Sequence, residues 1–218
     1  MDDIETMQRS KILIIGVGGL GCTTSSLLAR HGFDLVLIDG DVIEKSNLDR
    51  QILFFNEDVG KPKVDVAYDK LSEFSKIEKI FDNFNDETIS KYNELFSNVE
   101  LIIDCTDNVE TRKLINNFSF DKQIPWIYSA GVQNIGSVYF VDPSKRERAC
   151  YDCFNEDKYG ESACEVGVLN TTVSIVGALA ARIATSYLET GNYPDDLIRL
   201  KDNQIYTLKL KRNEECNH

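Results

Sequence analysis

The sequence predicts an α/β fold of the Rossmann-like kind: a largely parallel sheet with helices on both faces and an antiparallel C-terminal extension. Three observations predict it. Apolar runs at 11–15 and 35–38, and a third ending at 104, stop at glycine-rich or polar stretches as buried parallel strands do, with helix-like segments between them. Between the first two runs, Gly16, Gly18 and Gly21 follow the G-x-G-x-x-G spacing, and Asp39 closes the second strand. Both Asp39 and Asp104 end apolar runs, which places acids at the carboxyl edge of the sheet.

Residues 1–10 are a short polar lead-in. Lys11–Ile15 is the first strand and Leu20–His31 the first helix, with Gly32 suited to cap its end. Leu35–Ile38 is the second strand. Ser46–Asn47 caps a short helical turn that carries Arg50 and Gln51. Pro62 suits the first turn of a helix reaching about Ser75, because the N–H that proline lacks has no partner there. Ile77–Phe84 reads as a strand, Asp86–Phe96 as a helix, Val99–Asp104 as a strand and Val109–Phe120 as a helix. Strands at Trp126–Ala130 and Ser137–Val141 come next, then a polar, cysteine-bearing loop over 142–165. A long apolar helix runs from Val166 to Leu188, and Leu197–Leu200 and Tyr206–Leu210 close the chain as strands. In the last, Tyr206, Leu208 and Leu210 alternate with Thr207, Lys209 and Lys211, a half-exposed pattern. One domain over 1–218 is expected: a nucleotide-binding part at 11–141, the loop at 142–165, and the long helix and strands at 166–218.

Bulk properties narrow the function. The chain has 218 residues, and its 42% hydrophobic content is enough to bury a substantial core. A net charge of −12 argues against non-specific nucleic-acid binding. The first ten residues are polar and acidic, unlike a signal peptide. The most membrane-like stretch, Val166–Leu188, contains Asn170, Arg182 and many small residues and reads as a core helix; no membrane association is expected. Six cysteines, two of them in a Cys-x-x-Cys, suit a reduced cytoplasmic protein with metal or catalytic thiols.

Ligands of an open α/β sheet sit beyond the carboxyl ends of the strands. Three segments come after strand ends and should meet there: the loop with Gly16, Gly18, Gly19 and Gly21, then Asp39–Asp41, then Asp104–Asp107. Glycines let the backbone approach phosphates, and the first N–H groups of the next helix face the anion. Cys150-x-x-Cys153 has zinc-ligand spacing. Cys22 and Cys105 fall in apolar elements and read as packing residues.

The residues after Asp39 separate this chain from a dinucleotide dehydrogenase. It continues Gly-Asp-Val-Ile-Glu-Lys-Ser-Asn-Leu-Asp-Arg-Gln (40–51), then Val-Gly-Lys-Pro-Lys-Val (59–64) and Asp-Cys-Thr-Asp-Asn (104–108). In these motifs and their order the chain resembles the ThiF/MoeB family, relatives of ubiquitin-activating enzymes, from Lys11 to about Cys216. The resemblance implies an ATP-dependent adenylyltransferase. The C-terminal carboxylate of a small ubiquitin-like sulfur-carrier protein ending in Gly-Gly would be activated as an acyl-adenylate by a homodimeric enzyme. It makes Asp39 the ribose-binding acid, Arg50 and Lys63 the phosphate cations, and Asp41, Asn47, Gln51 and Asn108 further polar groups of the nucleotide site. Asn47 and Gln51 could instead hold the loop. Asp107 would place Mg²⁺ on the triphosphate, while Asp104 is either its helper or a structural acid pinning Asn108 or Arg112.

The same resemblance supplies a second cysteine pair near the C-terminus that completes a structural zinc site with Cys150 and Cys153. Cys216 matches its first member and His218 can replace the second; the alternative is an empty, degenerate site. Cys164 stands where some members carry a thiol that bonds covalently to the activated carrier, and others bear the cysteine without depending on it. Family members carry an arginine that reaches the partner's phosphate site from a longer N-terminal segment. Here Arg9 lies at the amino end of the first strand, and a five-residue strand spans about 16 Å, so Arg9 starts at the wrong edge. The rivals are a superfamily member adenylating a peptide or tRNA carboxylate, a binding partner without turnover, and a nicotinamide-dependent oxidoreductase. Thiamine, molybdopterin, tRNA thiolation and protein modification stay open as pathways.

Overall fold

A computed structural model describes residues 9–154, 167–216 and 218. The strands are β1 (Lys11–Ile15), β2 (Asp34–Ile38), β3 (Ile77–Ile80), β4 (Leu101–Asp104), β5 (Trp126–Val132), β6 (Ile135–Val141), β7 (Leu197–Lys201) and β8 (Gln204–Leu208). The helices are α1 (Gly19–His31), α2 (Lys63–Leu71), α3 (Asp86–Lys91), α4 (Asn93–Phe96), α5 (Val109–Lys122), α6 (Tyr151–Phe154) and α7 (Asn170–Thr190). The eight strands among the described residues form one sheet in the order β3-β2-β1-β4-β5-β6-β7-β8. The first five neighbours pair in parallel, and β6, β7 and β8 add antiparallel, as the sequence predicts.

The parallel strands are apolar on both sides because both faces are covered. Alternation sends Ile12 and Ile14 of β1 into one core and Leu13 and Ile15 into the other. The first core holds Leu20 and Leu28 of α1, Val64 and Leu71 of α2, and Val173, Val176 and Ala180 of α7. The second is aromatic: Phe84, Phe96, Phe118, Trp126, Tyr128 and Tyr151, with Phe84 and Phe118 edge to face at 5.8 Å. Helix α7 is long and apolar enough to cross a membrane by composition, yet Val173, Val176, Gly177, Ala180 and Ile183 are buried against α1, β5 and β6. It is a core helix, as its small residues suggested.

Several boundaries differ from the sequence reading. The expected strand Ile77–Phe84 stops at Ile80, where β2, its only neighbour among the described residues, ends, and the next residues leave the sheet. The expected helix Asp86–Phe96 divides at Tyr92, whose backbone (φ −109°, ψ 20°) leaves the helical region. The helix after Pro62 ends at Leu71, short of Ser75. Strands β5 and β6 run further toward each other than expected, meeting in a tight turn with Gln133 at φ 52°. The last strand is shifted to Gln204–Leu208 and is exposed throughout, not half-exposed, because it is the sheet's outer edge and pairs only with β7. The loop expected over 142–165 contains a short helix, α6; residues 155–165 lie outside the described residues.

Candidate functional site

The chain leaves β1 for β2 on one side and reaches β4 on the other, so the loops above their carboxyl ends diverge and open a crevice. Its volume is about 1080 Å³. The glycine loop forms the floor, and two glycines are sterically required. Gly16 has φ 91°, and a Cβ there would lie 2.8 Å from the Cys105 carbonyl oxygen. A Cβ on Gly21 would fall 2.0 Å from the Gly16 carbonyl oxygen, so any side chain would displace α1 from β1. Gly18 and Gly19 line the crevice where α1 begins, and no side chain caps the helix. The free N–H groups of its first turn can therefore receive an anion.

Asp39 ties this loop to the next. Its Oδ2 accepts the Val17 N–H at 2.7 Å and its Oδ1 the Asp41 N–H at 2.8 Å. Burial pushes the Asp39 carboxyl above the usual range, against the pull of Lys63 and the two backbone donors. Lys63, at the start of α2, points into the crevice with only 8% of its side chain exposed; Nζ lies 2.6 Å from Asp41 Oδ2 and 3.9 Å from Asp39 Oδ1. Arg50 enters from the other end of the same loop, its Nη1 donating to the Ser46 carbonyl at 2.8 Å and to Asp49 at 2.9 Å. Arg50 and Lys63, with the buried Arg112, are thus among the residues that line this crevice beside the glycine loop.

The segment between these cations is clamped from within. Asp58 accepts hydrogen bonds from the Phe55 N–H and the Lys61 ammonium, and it is paired with Lys70 of α2, which also donates to the Leu53 carbonyl. Burial raises the Asp58 carboxyl, but the Lys70 hydrogen bond and the Phe55 N–H outweigh it and hold the group below the usual range. Backbone bonds from Ile43 N–H to Lys61 and from Gly60 N–H to Ile43 close the segment onto residues 41–43.

Of the two amides flanking Arg50, Asn47 is used within the loop: its Oδ1 accepts the Glu44 N–H at 3.0 Å. Gln51 is only 4% exposed and its Oε1 has no hydrogen-bond partner among the described residues. Its Nε2 lies 3.8 Å from where a Cβ of Gly18 would sit. A buried carboxamide oxygen without a partner among the described residues, beside an uncapped helix start, is open to a polar ligand.

The two aspartates after β4 separate. Asp104 is fully buried, with Arg112 Nε at 3.0 Å and Thr106 donating through its N–H at 2.9 Å and its hydroxyl at 2.6 Å. Burial raises its pKa, opposed by Arg112 and Thr106. It is the structural acid, and its partner is Arg112, not Asn108. Asn108 caps α5 by accepting the Thr111 N–H at 2.9 Å. Asp107 is exposed on the crevice wall. The sequence reading missed the far walls: Asn83, hidden in an over-long strand, Asn85 just beyond it, and Gly131, Val168 and Val173 at the entry to α7. Gly40, where a Cβ would lie 2.7 Å from Asn83 Oδ1, was the available sign that something packs there.

A second cluster lies on the opposite core. Cys150 Sγ is 3.8 Å from Cys153 Sγ, 3.4 Å from Cys216 Sγ and 3.7 Å from His218 Nδ1. A tetrahedral zinc ion with sulfur at about 2.3 Å has sulfur–sulfur edges of about 3.8 Å, and the three thiols, mutually within 4.8 Å, approach that arrangement, whereas His218 groups with Cys150 and Asp152. His218 stacks on Phe120 at 4.6 Å, and its Nδ1 is also 3.2 Å from an Asp152 oxygen. Cys22 and Cys105 are buried packing thiols, with burial pushing Cys22 up to about 12. Cys164 lies outside the described residues. Arg9 precedes β1, at the edge opposite the crevice.

A family model described as "ThiF family" matches residues 1–217. The molybdopterin-synthase adenylyltransferase of Escherichia coli K12 is 32% identical over 226 residues, covering 99% of this chain and 89% of that protein. The sulfur carrier protein ThiS adenylyltransferase of the same organism is 32% identical over 222 residues, covering 99% and 88%. Among solved structures, E. coli MccB with AMPCPP and MccA superposes with a TM-score of 0.78 at 25% identity. That match covers 95% of this chain and 66% of MccB, so the chain spans just under two thirds of the MccB chain.

Proposed function

The chain belongs to the ThiF family, and on that premise we propose that it is an ATP-dependent adenylyltransferase. It activates the C-terminal carboxylate of a small ubiquitin-like sulfur carrier ending in Gly-Gly. The observation that carries the reading is the convergence of Lys63, Arg50, Gln51 and the uncapped start of α1 on one crevice. Asp39 takes the ribose hydroxyls, with Asp41, Asn47 and Asn108 framing the nucleotide. Asp107 would hold Mg²⁺ at the triphosphate, where the ion would supply charge neutralisation.

The chemistry asks little of the protein beyond position and charge. The carrier's carboxylate is ionised at neutral pH and attacks the α-phosphorus without a general base. An oxygen–phosphorus bond forms, the bond to the departing pyrophosphate breaks, and the products are the acyl-adenylate and pyrophosphate. Lys63 and Arg50 offset the charge that grows on phosphoryl oxygens, and the first turn of α1 orients them. ATP–pyrophosphate exchange is the test: label should enter ATP only when a Gly-Gly carrier is added. Exchange that does not respond to any carrier removes the assignment. MccB with AMPCPP and MccA supports a second reading, in which the acceptor is a free peptide; carrier and peptide compared in the same assay decide between them.

We read Cys150, Cys153 and Cys216, which group together, as ligands of a structural zinc ion that ties the C-terminal segment to α6, with His218, 3.7 Å from Cys150 Sγ, as the fourth. Cobalt substitution is expected to give the absorption of a three-sulfur, one-nitrogen site, and His218→Ala to change its bands and release metal sooner to a chelator. A spectrum unchanged by His218→Ala would assign the fourth position elsewhere. Cys164 is the candidate thiol for a carrier-linked intermediate. Exposed Ile52, Phe55 and Val59 on the loop between the two cations suit a homodimer face, and the unpaired thiols suit the cytoplasm.

A further inference from the structure

Helix α5 touches both the crevice and the cysteine cluster, and it does so with one side. Its first turns line the crevice through Glu110, Thr111, Arg112 and Leu114. Arg112, Asn116 and Phe120 follow at four-residue intervals, so they share a face of the helix within about 12 Å of its axis. Arg112 is turned to the loop after β4: its Nε lies 3.0 Å from Asp104 and its Nη2 donates to the Thr106 carbonyl at 2.6 Å, just before Asp107. Asn116 and Phe120 are turned to the cluster. Asn116 Nδ2 lies 3.3 Å from an Asp152 oxygen and 3.2 Å from His218 Nδ1, and its Oδ1 accepts the Tyr151 N–H at 3.4 Å. The Phe120 ring stacks on His218 at 4.6 Å.

The partners of Asn116 are placed by the cysteines. Asp152 lies between Cys150 and Cys153 on α6, and His218 is two residues past Cys216. Helix α6 has four residues, too few to keep its shape by its own hydrogen bonds, and no helix or strand follows β8 among the described residues. An ion on the three thiols fastens these two segments to each other, so the positions of Asp152 and His218 follow its occupancy. Asn116 itself has no exposed surface. A carboxamide buried so deeply cannot turn to water when its partners move, and the cost falls on the helix that carries it. Arg112, one turn away on the same face, passes any shift of α5 to the Asp104–Asp107 loop.

We propose that Asn116 is a positioning residue of the nucleotide site: through α5 it makes the hold on nucleotide depend on the metal at the cysteine cluster. The inference rests on the two readings above, a nucleotide in the crevice and zinc on the thiols, and adds the link between them. Such a link is reciprocal. A ligand that favours one arrangement of α5 strengthens whatever else that arrangement binds, so nucleotide also tightens the hold on zinc.

The test is zinc transfer from the loaded protein to a coloured chelator, with and without saturating AMPCPP and excess Mg²⁺, while calorimetry records nucleotide binding. Nucleotide is expected to slow the transfer fivefold or more, the lower end of the range of about 5- to 150-fold usual for such couplings. The triphosphate's own affinity for zinc acts in the opposite direction, speeding the transfer, and cannot imitate this result. Asn116→Ala is expected to keep both ligands and lose the response, with nucleotide changing the transfer less than about twofold. Phe120→Leu keeps an apolar side chain and gives up the stack on His218; it is expected to weaken the response and carries the test if Asn116→Ala does not fold. AMPCPP that binds the wild type without changing the transfer overturns the link and leaves both readings standing. A response kept in full by the variants that fold also overturns it, since nucleotide then slows release only by stabilising the whole protein. Absence of AMPCPP binding removes the nucleotide reading, and failure to retain zinc after reconstitution removes the metal reading; either takes the link with it.

Discussion

Lys63→Ala is expected to lower carrier-dependent ATP–pyrophosphate exchange by about 10²- to 10³-fold, the usual cost of removing one fixed group aimed at developing transition-state charge. Its effect should exceed that of Arg50→Ala, and the reason is electrostatic. The Lys63 side chain is 8% exposed and lies between two carboxylates, 2.6 Å from Asp41 and 3.9 Å from Asp39. Removing it takes one positive charge from the phosphates and leaves the buried Asp39 carboxylate, 8% exposed, without its counter-charge where water screens poorly, whereas Asp41, 69% exposed, is screened by solvent. Arg50 is 26% exposed, and its neighbour Asp49 is largely in solvent, so its loss uncovers less. Steady-state exchange at varied ATP separates the contributions. A fall in kcat/KM with kcat nearly kept marks a ground-state contact, and a fall in both marks one that strengthens in the transition state. A loss below about fivefold for Lys63→Ala would remove the lysine from the proposed machinery.

Arg112→Leu is expected to destabilise the fold by about 3–5 kcal/mol, the range for leaving one member of a buried ion pair without its partner. Asp104 has no exposed surface, and Arg112 is its only charged contact among the described residues. Arg112 also donates to the Thr106 carbonyl at 2.6 Å and lies over the Tyr128 ring, so its loss frees the loop that carries Asp107. Asp104→Asn keeps the shape and one acceptor and should cost less. The sign of the pH dependence comes from burial. Asp104 already has its pKa raised in the native protein, and without Arg112 the folded state favours the protonated carboxyl still more strongly. A carboxyl whose folded pKa exceeds its unfolded value of about 3.9 costs stability as pH rises above that value. The variant should therefore recover part of its deficit between pH 7 and pH 5. Denaturant unfolding at the two pH values reads both effects, and an Arg112→Leu protein as stable as wild type at pH 7 would mean that the pair is not structural.

Elements with a local cause were legible in the sequence. The β1–α1–β2 unit could be read because Gly16 and Gly21 are imposed by close approach and Asp39 closes a strand. Lys63 and Arg50 could be read from the motifs around them, and Cys150 and Cys153 from their spacing. The remainder depended on non-local neighbours. Nothing local indicates that β3 stops at Ile80, because that is set by where β2 ends. Asp104 and Asp107 are both acids after β4, and only the burial of Arg112 separates a structural pair from a crevice wall. Val173 looked like one more apolar helix residue, and its place against Gly19 and Gly131 comes from how α7 docks. The exposed β8 likewise reflects its position at the end of the sheet, which alternation cannot foretell.

Arg50 and Lys63 lie at the two ends of a single clamped segment, whose centre is fixed by the buried Asp58 carboxylate and by Lys70 from α2. The two cations are thus mechanically ganged: a shift of that span swings both together, as a pair of jaws shares one hinge pin. Whatever leans on its exposed outer side, where Phe55 faces water and flanks the Lys70 ammonium at 4.5 Å, has leverage on both positive charges at once.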